Sequence, residues 1–218
     1  MKGPRIALIH AVPMAIGPVA AAFEALWPEA ERINLLDDSL SVDRQRAGAL
    51  TPDITARIGA LADYARACAA DGILYTCSAF GAAIEAVARA AVIPVLKPNE
   101  AMFEEALATG RRIGMLATFP PSVAGMEAEF RAQAGTSGAT IATICVPEAM
   151  AAAQRGDMAT HNALLVEAAR GPQAQGFEAL MLAQFSMAPA SAAVQAVTRC
   201  PVLTSPASAV RRLKQALA

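Results

Sequence analysis

A cysteine stands where a buried strand is predicted to end and a helix to begin. Cys77 follows the predicted strand Gly72–Thr76 and precedes the predicted helix Ala79–Ala91. Backbone N–H groups at a helix N-terminus stabilise a thiolate, so this position predicts a lowered thiol pKa and a nucleophile or acid/base group. Ser78 is predicted to cap that helix and, with Ala79 beside it, to face a substrate oxygen. The alternative is that Cys77 is a small apolar core residue.

Three other predicted strands also end next to residues with polar side chains. Ligands of open α/β sheets bind at the carboxyl ends of the strands, close to helix N-termini. His10 could titrate there or be purely structural, and Thr118 could contact a ligand or make only a local turn bond. The strand ends therefore predict a small-molecule site that contains Cys77, Ser78 and Ala79 together with His10, Thr118, Phe119, Gln184 and Ser186.

Several other polar residues have local explanations. Ser122 follows two prolines and is predicted to cap the helix that it begins. Asp37, Asp38 and Asp43 are predicted to lie in a polar loop, which is either a solvated loop or a lid. His161 is predicted to begin a helix away from the strand ends and to be exposed.

The two halves of the chain repeat each other at a constant offset of about 107 residues, the separation of Arg5 from Arg112. This offset places Arg5–Ile9 over Arg112–Leu116 and Pro94–Leu96 over Pro201–Leu203, without a gap. It also pairs Cys77 with Gln184. The repeat predicts two lobes with equivalent strand ends, one of which offers a thiol and the other an amide.

Short β-type runs alternate with Ala-rich helical segments, a pattern that is typical of a parallel α/β sheet. The predicted strands are Arg5–His10, Arg32–Leu36, Gly72–Thr76, Val92–Leu96, Arg112–Ala117, Thr140–Cys145, Ala179–Ala183 and Cys200–Leu203. The predicted helices are Ile16–Leu26, Pro52–Ala70, Ala79–Ala91, Glu100–Ala108, Ser122–Ala134, His161–Gln175, Ala188–Thr198 and Ala207–Leu217.

The composition argues against several classes of protein. The net charge is −1 and aromatic residues are 5%, which does not favour nucleic-acid binding. Four cysteines without CxxC spacing and two histidines predict no metal site, and the glycines form no nucleotide-binding signature. Cys68 and Cys200 are predicted to be buried thiols. No apolar run is long enough to span a membrane, and the first apolar run is predicted to be a strand rather than a signal peptide, so we expect a cytoplasmic protein.

The sequence resembles the aspartate/glutamate/hydantoin racemase superfamily over nearly its whole length. Three features carry the resemblance: the segment Leu74–Phe80 with its Thr-Cys-Ser sequence, the segment Ile113–Thr118, and the duplication. The resemblance implies a cofactor-independent site between two lobes, in which a cysteine from each lobe faces the α-carbon of the substrate. It also implies that Cys77 is the first of these thiols, that Ser78 and Thr118 bind a carboxylate, and that Gln184 stands in place of the second thiol.

These observations predict two duplicated α/β lobes with parallel four-stranded sheets, related by a pseudo-two-fold axis, with the site in the cleft between them. The first lobe is predicted to comprise residues 1–98 plus 207–218, and the second to comprise residues 99–206. The predicted function is an isomerase or lyase that acts on a small carboxylate or amino-acid-like ligand through Cys77 alone. A non-catalytic carboxylate-binding protein and a decarboxylase similar to arylmalonate decarboxylase are the alternatives, and a homo-oligomer is left open.

Overall fold

The protein contains two four-stranded parallel sheets with the same strand order. The computed structural model describes residues 3–218. The first sheet has the order β2-β1-β3-β4 and consists of β1 (Arg5–His10), β2 (Glu31–Leu36), β3 (Gly72–Tyr75) and β4 (Val95–Leu96). The second sheet has the order β6-β5-β7-β8 and consists of β5 (Arg112–Ala117), β6 (Thr140–Cys145), β7 (Ala179–Leu182) and β8 (Val202–Thr204). The predicted α/β class with two parallel four-stranded sheets is confirmed.

Helices connect the strands, as parallel pairing requires. They are α1 (Ile16–Leu26), α2 (Ser39–Ala47), α3 (Pro52–Ala67), α4 (Gly81–Ala90), α5 (Glu100–Thr109), α6 (Pro120–Ala134), α7 (Pro147–Gln154), α8 (Met158–Arg170), α9 (Ser191–Gln195) and α10 (Ser205–Ala216). Short 3-10 turns occupy Pro13–Ala15, Ser78–Phe80, Pro172–Ala174 and Phe185–Ala190. No helix within residues 3–218 is both long enough and apolar enough to cross a membrane.

The chain divides into two compact units, each with its own sheet and core. The first unit comprises Met1–Ala101 and Ala209–Ala218, and the second comprises Met102–Ser208. The four residues of β3 are all buried, and so are the four residues of β7. Strands that are covered on both faces need a continuous apolar run instead of an alternating pattern, which is why these segments could be recognised from the sequence.

Residue pairing places the strand ends of each sheet side by side. In the first sheet Ile9 of β1 pairs with Tyr75 of β3, and in the second Leu116 of β5 pairs with Leu182 of β7. The segments that follow these strands therefore begin at the same edge of their sheet. This edge carries the predicted site residues of each unit.

Each unit contains one helix that the sequence did not predict. These helices, α2 and α7, follow β2 and β6 along the chain. The predicted polar loop is wrong for Asp43, because residues Ser39–Ala47 form α2, whereas Asp37 and Asp38 do lie in the short turn before this helix. In the second unit α7 lies at the equivalent place. Leu40 is the buried residue of α2, and α7 buries only Ala149 and Ala152, so neither sequence shows the apolar stripe from which a helix is recognised.

Other differences from the predicted elements are smaller. Strand β4 has only two residues, and β8 begins at Val202 instead of Cys200. Helix α8 begins at Met158, where the Asp157 carboxylate accepts a hydrogen bond from Thr160 N, and it ends at Arg170. The segment predicted as one helix from Ala188 to Thr198 is a 3-10 turn followed by the short helix α9.

Candidate functional site

Cys77 lies at the carboxyl end of β3, as its position in the sequence indicated. Its backbone is extended (φ −129°, ψ 121°), and the 3-10 turn Ser78–Phe80 separates it from α4, which begins at Gly81. The prediction that Ser78 caps the helix is wrong, because Phe80 occupies the N-cap position of α4. Cys77 is half-buried and packs against the apolar core of the first unit.

The environment of Cys77 raises the pKa of its thiol, contrary to the prediction of a lowered pKa. Burial is the largest cause, since an apolar environment disfavours the thiolate. Hydrogen bonds from the Ala79 backbone and the Ser41 side chain act in the opposite direction on the pKa but do not outweigh burial. At neutral pH Cys77 is therefore a thiol, and the Ala79 backbone and the Ser41 side chain are the groups that favour its ionised form.

Ser41 also belongs to this site, and the sequence does not indicate it because its helix, α2, lacks an apolar stripe. Its Oγ donates a hydrogen bond to the backbone oxygen of Ala11, 2.9 Å away, beyond the end of β1. Arg44, one turn further along α2, donates from Nε to the backbone oxygen of Ala79 at 3.4 Å. Helix α2 therefore brings two polar side chains to the segment that carries Cys77.

An arginine on α3 holds α2 in place. Arg57 contacts Oδ2 of Asp37 through Nη2 at 2.5 Å and Oδ2 of Asp43 through Nη1 at 2.7 Å. Ser39 Oγ in turn donates to Asp37 Oδ1 at 2.6 Å. The side chain of Leu40 is fully buried in the core of the first unit. Asp37 and Asp43, which were predicted to lie in a loop or lid, thus fix the helix that carries Ser41.

His10, the last residue of β1, connects β2 with the end of β3 from a fully buried position. Its Nδ1 lies 2.9 Å from Thr76 Oγ1, and its Nε2 lies 2.9 Å from Asn34 Oδ1. Since Oδ1 can only accept, Nε2 carries the hydrogen and Nδ1 of the neutral ring is an acceptor that faces the Thr76 hydroxyl, which also lies 3.3 Å from the Ile9 backbone oxygen. Burial lowers the pKa of His10, and the bond to Asn34 opposes that shift. Because the ring has no exposed surface, His10 supports the residue next to Cys77 and does not reach solvent.

In the second unit Gln184 is bonded to the neighbouring strand end. Its Oε1 accepts a hydrogen bond from the Thr118 backbone N–H at 3.0 Å and another from Thr118 Oγ1 at 3.2 Å. Its Nε2 donates to Ser122 Oγ at 3.2 Å, and that hydroxyl donates to the Phe119 backbone oxygen at 2.8 Å. Thr118 is almost completely buried.

The orientation of the Gln184 amide follows from its partners. A backbone N–H can only donate, so the amide oxygen must face Thr118 and the amide nitrogen must face Ser122. The prediction that Ser122 begins and caps a helix is wrong, since α6 begins at Pro120 and the Ser122 hydroxyl bonds back to Phe119. Phe119 itself is 47% exposed, and Ser186 is half-buried within the 3-10 turn after Gln184.

The remaining residues with reactive side chains lie elsewhere. Cys68 and Cys200 are partly exposed instead of buried, and Cys145 is exposed. His161 is buried and not exposed as predicted, and its Nδ1 lies 2.9 Å from Asn162 Oδ1. Among residues 3–218 no group of three or more metal-ligating side chains could hold a metal ion. A shallow groove in the second unit contains none of the predicted site residues, and it is lined by Asn162, Ala163, Val166, Glu167, Arg170 and Ala193.

The fold is similar to that of several solved structures. Allantoin racemase from Klebsiella pneumoniae has a TM-score of 0.73 and 17% identity, covering 98% of this chain and 87% of that one. Aspartate racemase from Picrophilus torridus has a TM-score of 0.72 and 14% identity, covering 96% and 94%. A glycine-to-cysteine mutant of arylmalonate decarboxylase, associated with sulfate, has a TM-score of 0.66 and 23% identity, covering 99% and 95%.

The sequence itself defines the family. The profile of the Asp/Glu/Hydantoin racemase family matches residues 18–213, which is most of the chain. The chain belongs to this family, as its motifs and duplication predicted. No curated protein sequence matches it.

Proposed function

We propose that the protein is an enzyme that delivers a proton to the α-carbon of a small carboxylate through the thiol of Cys77. The position of this thiol supports the proposal, since it lies at the carboxyl end of a parallel strand, where the Ala79 backbone and the Ser41 side chain act to lower its pKa against the effect of burial. The family supports chemistry at an α-carbon, because racemases act there, and the structural neighbours named above include racemases and an arylmalonate decarboxylase.

The raised pKa of Cys77 favours proton donation over proton abstraction. A thiol that is protonated at neutral pH transfers its proton to a carbanion or enediolate, and the sulfur becomes a thiolate. The Ala79 N–H then stabilises that thiolate, together with the Ser41 hydroxyl once it turns away from the Ala11 backbone oxygen, and the thiolate regains a proton from water. In a decarboxylation the bond between the α-carbon and the departing carboxylate breaks, its electron pair stays on the α-carbon, and the thiol proton completes the product.

Racemisation would need a second group able to accept the α-proton on the other face of the substrate. Gln184, which aligns with Cys77 in the repeat, cannot do this because an amide does not accept a proton near neutral pH. His10 does not supply the second group in this structure, since it is fully buried. One-sided protonation is therefore the reaction that fits the residues of this chain, and decarboxylation of a small malonate-like acid is its simplest form.

A carboxylate-binding protein without catalysis is the second candidate. The observation that favours it is that Gln184 stands at the position equivalent to Cys77, so the second unit has an amide there instead of a thiol that could transfer a proton. Such a protein would bind a small acid and exchange no α-proton.

Proton NMR in deuterated water distinguishes these two functions. The protein is incubated with phenylmalonate, and the spectra report whether carbon dioxide is lost and deuterium enters the product. In parallel it is incubated with aspartate, glutamate and allantoin, and the spectra report whether the α-proton exchanges. We expect turnover of a malonate, abolished by Cys77→Ser and unaffected by Cys145→Ser, which removes an exposed thiol of the second unit. Absence of turnover with every substrate, or full activity of Cys77→Ser, would contradict the enzymatic proposal.

A further inference from the structure

Gln184 occupies hydrogen-bond donors that a carboxylate ligand would use. The Thr118 backbone N–H and hydroxyl converge on one acceptor, which is the arrangement that binds a carboxylate oxygen. In this structure that acceptor is the amide oxygen of Gln184, at 3.0 Å and 3.2 Å from the two donors. The amide oxygen of the protein therefore lies where an oxygen of a ligand would lie.

The same side chain is anchored at its other end. Gln184 Nε2 donates to Ser122 Oγ, and the hydroxyl hydrogen of Ser122 is directed to Phe119 O. All these bonds are directional, so rotation of the amide would break three hydrogen bonds together. Thr118 keeps only 1% of its surface exposed under this arrangement.

We infer that Gln184 is a specificity-determining residue that competes with the ligand for the Thr118 donors in the second unit. A carboxylate gains these donors only by displacing the amide oxygen, and an ionised acceptor forms stronger hydrogen bonds than a neutral one. The residue thereby selects for anionic ligands over neutral amides or esters of the same shape. This inference rests on the proposed function, because it assumes that the ligand is a small carboxylate.

The test is titration of the protein with malonate. Binding is measured from the change of the ¹⁵N–¹H NMR signal of the Thr118 backbone amide. Gln184→Met keeps the length of the side chain and removes both polar atoms, so malonate should bind at least about tenfold more tightly, which is about 1.4 kcal/mol. Gln184→Glu keeps the acceptor and adds a negative charge, so malonate binding should weaken at least about tenfold.

Ser122→Ala provides a second variant if Gln184→Met does not fold. It removes the anchor of Nε2 but leaves Oε1, so malonate affinity should rise in the same direction by a smaller factor. Gln195→Met is the matched control, because Gln195 also bridges backbone groups of the second unit, Cys200 O and Val202 N, outside the predicted site. Its malonate affinity should equal that of the wild type.

The outcomes separate this inference from the proposed function. If Gln184→Met binds malonate no more tightly than the wild type, or if malonate never shifts the Thr118 signal in a protein that turns over a substrate, the competition is refuted and the proposed function stands. If none of the proteins binds malonate and the wild type turns over no substrate, both are refuted. Tighter binding by Gln184→Met together with loss of binding by Gln184→Glu supports the competition.

Discussion

Replacing Gln184 by methionine should destabilise the second unit, because three hydrogen bonds disappear together. Each such bond contributes about 0.5–1.5 kcal/mol to stability, and the nearly buried Thr118 N–H and hydroxyl would be left without their acceptor. We expect a loss of about 2–4 kcal/mol in the free energy of unfolding. For a chain of this length that loss lowers Tm by roughly 4–16 °C.

A double-mutant cycle separates the hydrogen bond between the Thr118 and Gln184 side chains from the other two hydrogen bonds of Gln184. Thr118→Val keeps the shape and removes only the hydroxyl, so it should cost about 1 kcal/mol. Since this hydroxyl has no acceptor once Gln184 is methionine, the double variant should be more stable than the sum of the two losses predicts, by about 1 kcal/mol. Urea unfolding monitored by circular dichroism measures all three variants.

The exposed Gln195 provides the control for this cycle. It accepts from Val202 N and donates to Cys200 O, but water can replace both partners at the surface. Gln195→Met should therefore cost less than about 1 kcal/mol. If Gln184→Met costs no more than Gln195→Met, or the cycle shows no coupling with Thr118, the hydrogen-bonded bridge does not stabilise the unit as the geometry indicates.

Three further predictions concern the first unit and the second sheet. The alkylation of Cys77 by iodoacetamide should have its pH midpoint above that of the unfolded chain, and Ser41→Ala should raise the midpoint further because a donor to the thiolate is lost. Burial lowers the pKa of His10 below its ordinary value of 6.5. Just below pH 6.5 the unfolded chain therefore binds a proton that the folded chain does not, and the free energy of unfolding falls as the pH falls. His10→Gln should flatten that part of the curve of stability against pH. Gly114→Ala should destabilise the protein by about 1–3 kcal/mol in urea unfolding, because its Cβ would lie 2.2 Å from the Phe177 ring.

Matched variants test the physical reasons behind these three predictions. Ser39→Ala removes a hydroxyl from the same helix that bonds to Asp37, so it should leave the alkylation midpoint of Cys77 unchanged. A Cys77 midpoint below that of the unfolded chain would show that the helix and turn amides outweigh burial. Gly125→Ala should not lower the free energy of unfolding, because an added Cβ meets nothing within 4 Å there. If Gly114→Ala and Gly125→Ala lower it equally, the contact with Phe177 is not the cause. An unchanged pH–stability curve in His10→Gln would show that His10 does not titrate in that window.

The sequence was sufficient to predict the two parallel sheets because the central strands are buried on both faces. Strands such as β3 and β7 require continuous apolar runs, and these runs recur at the same offset in both halves of the chain. The position of Cys77 at a strand end follows from the same pattern. The two helices α2 and α7 could not be recognised, since each buries only one or two residues and its place is decided by contacts with other elements.

The chemical state of the site residues was decided by the tertiary structure. The sequence places Cys77 before a helix, which predicts a lowered pKa, but the surrounding core desolvates the thiol and raises the pKa instead. Gln184 and Thr118 are 66 residues apart, and they meet because β5 and β7 pair in a register that brings their ends together. Apolar runs and repeats are properties of the local sequence, whereas burial and hydrogen-bond partners depend on which distant segments the fold brings into contact.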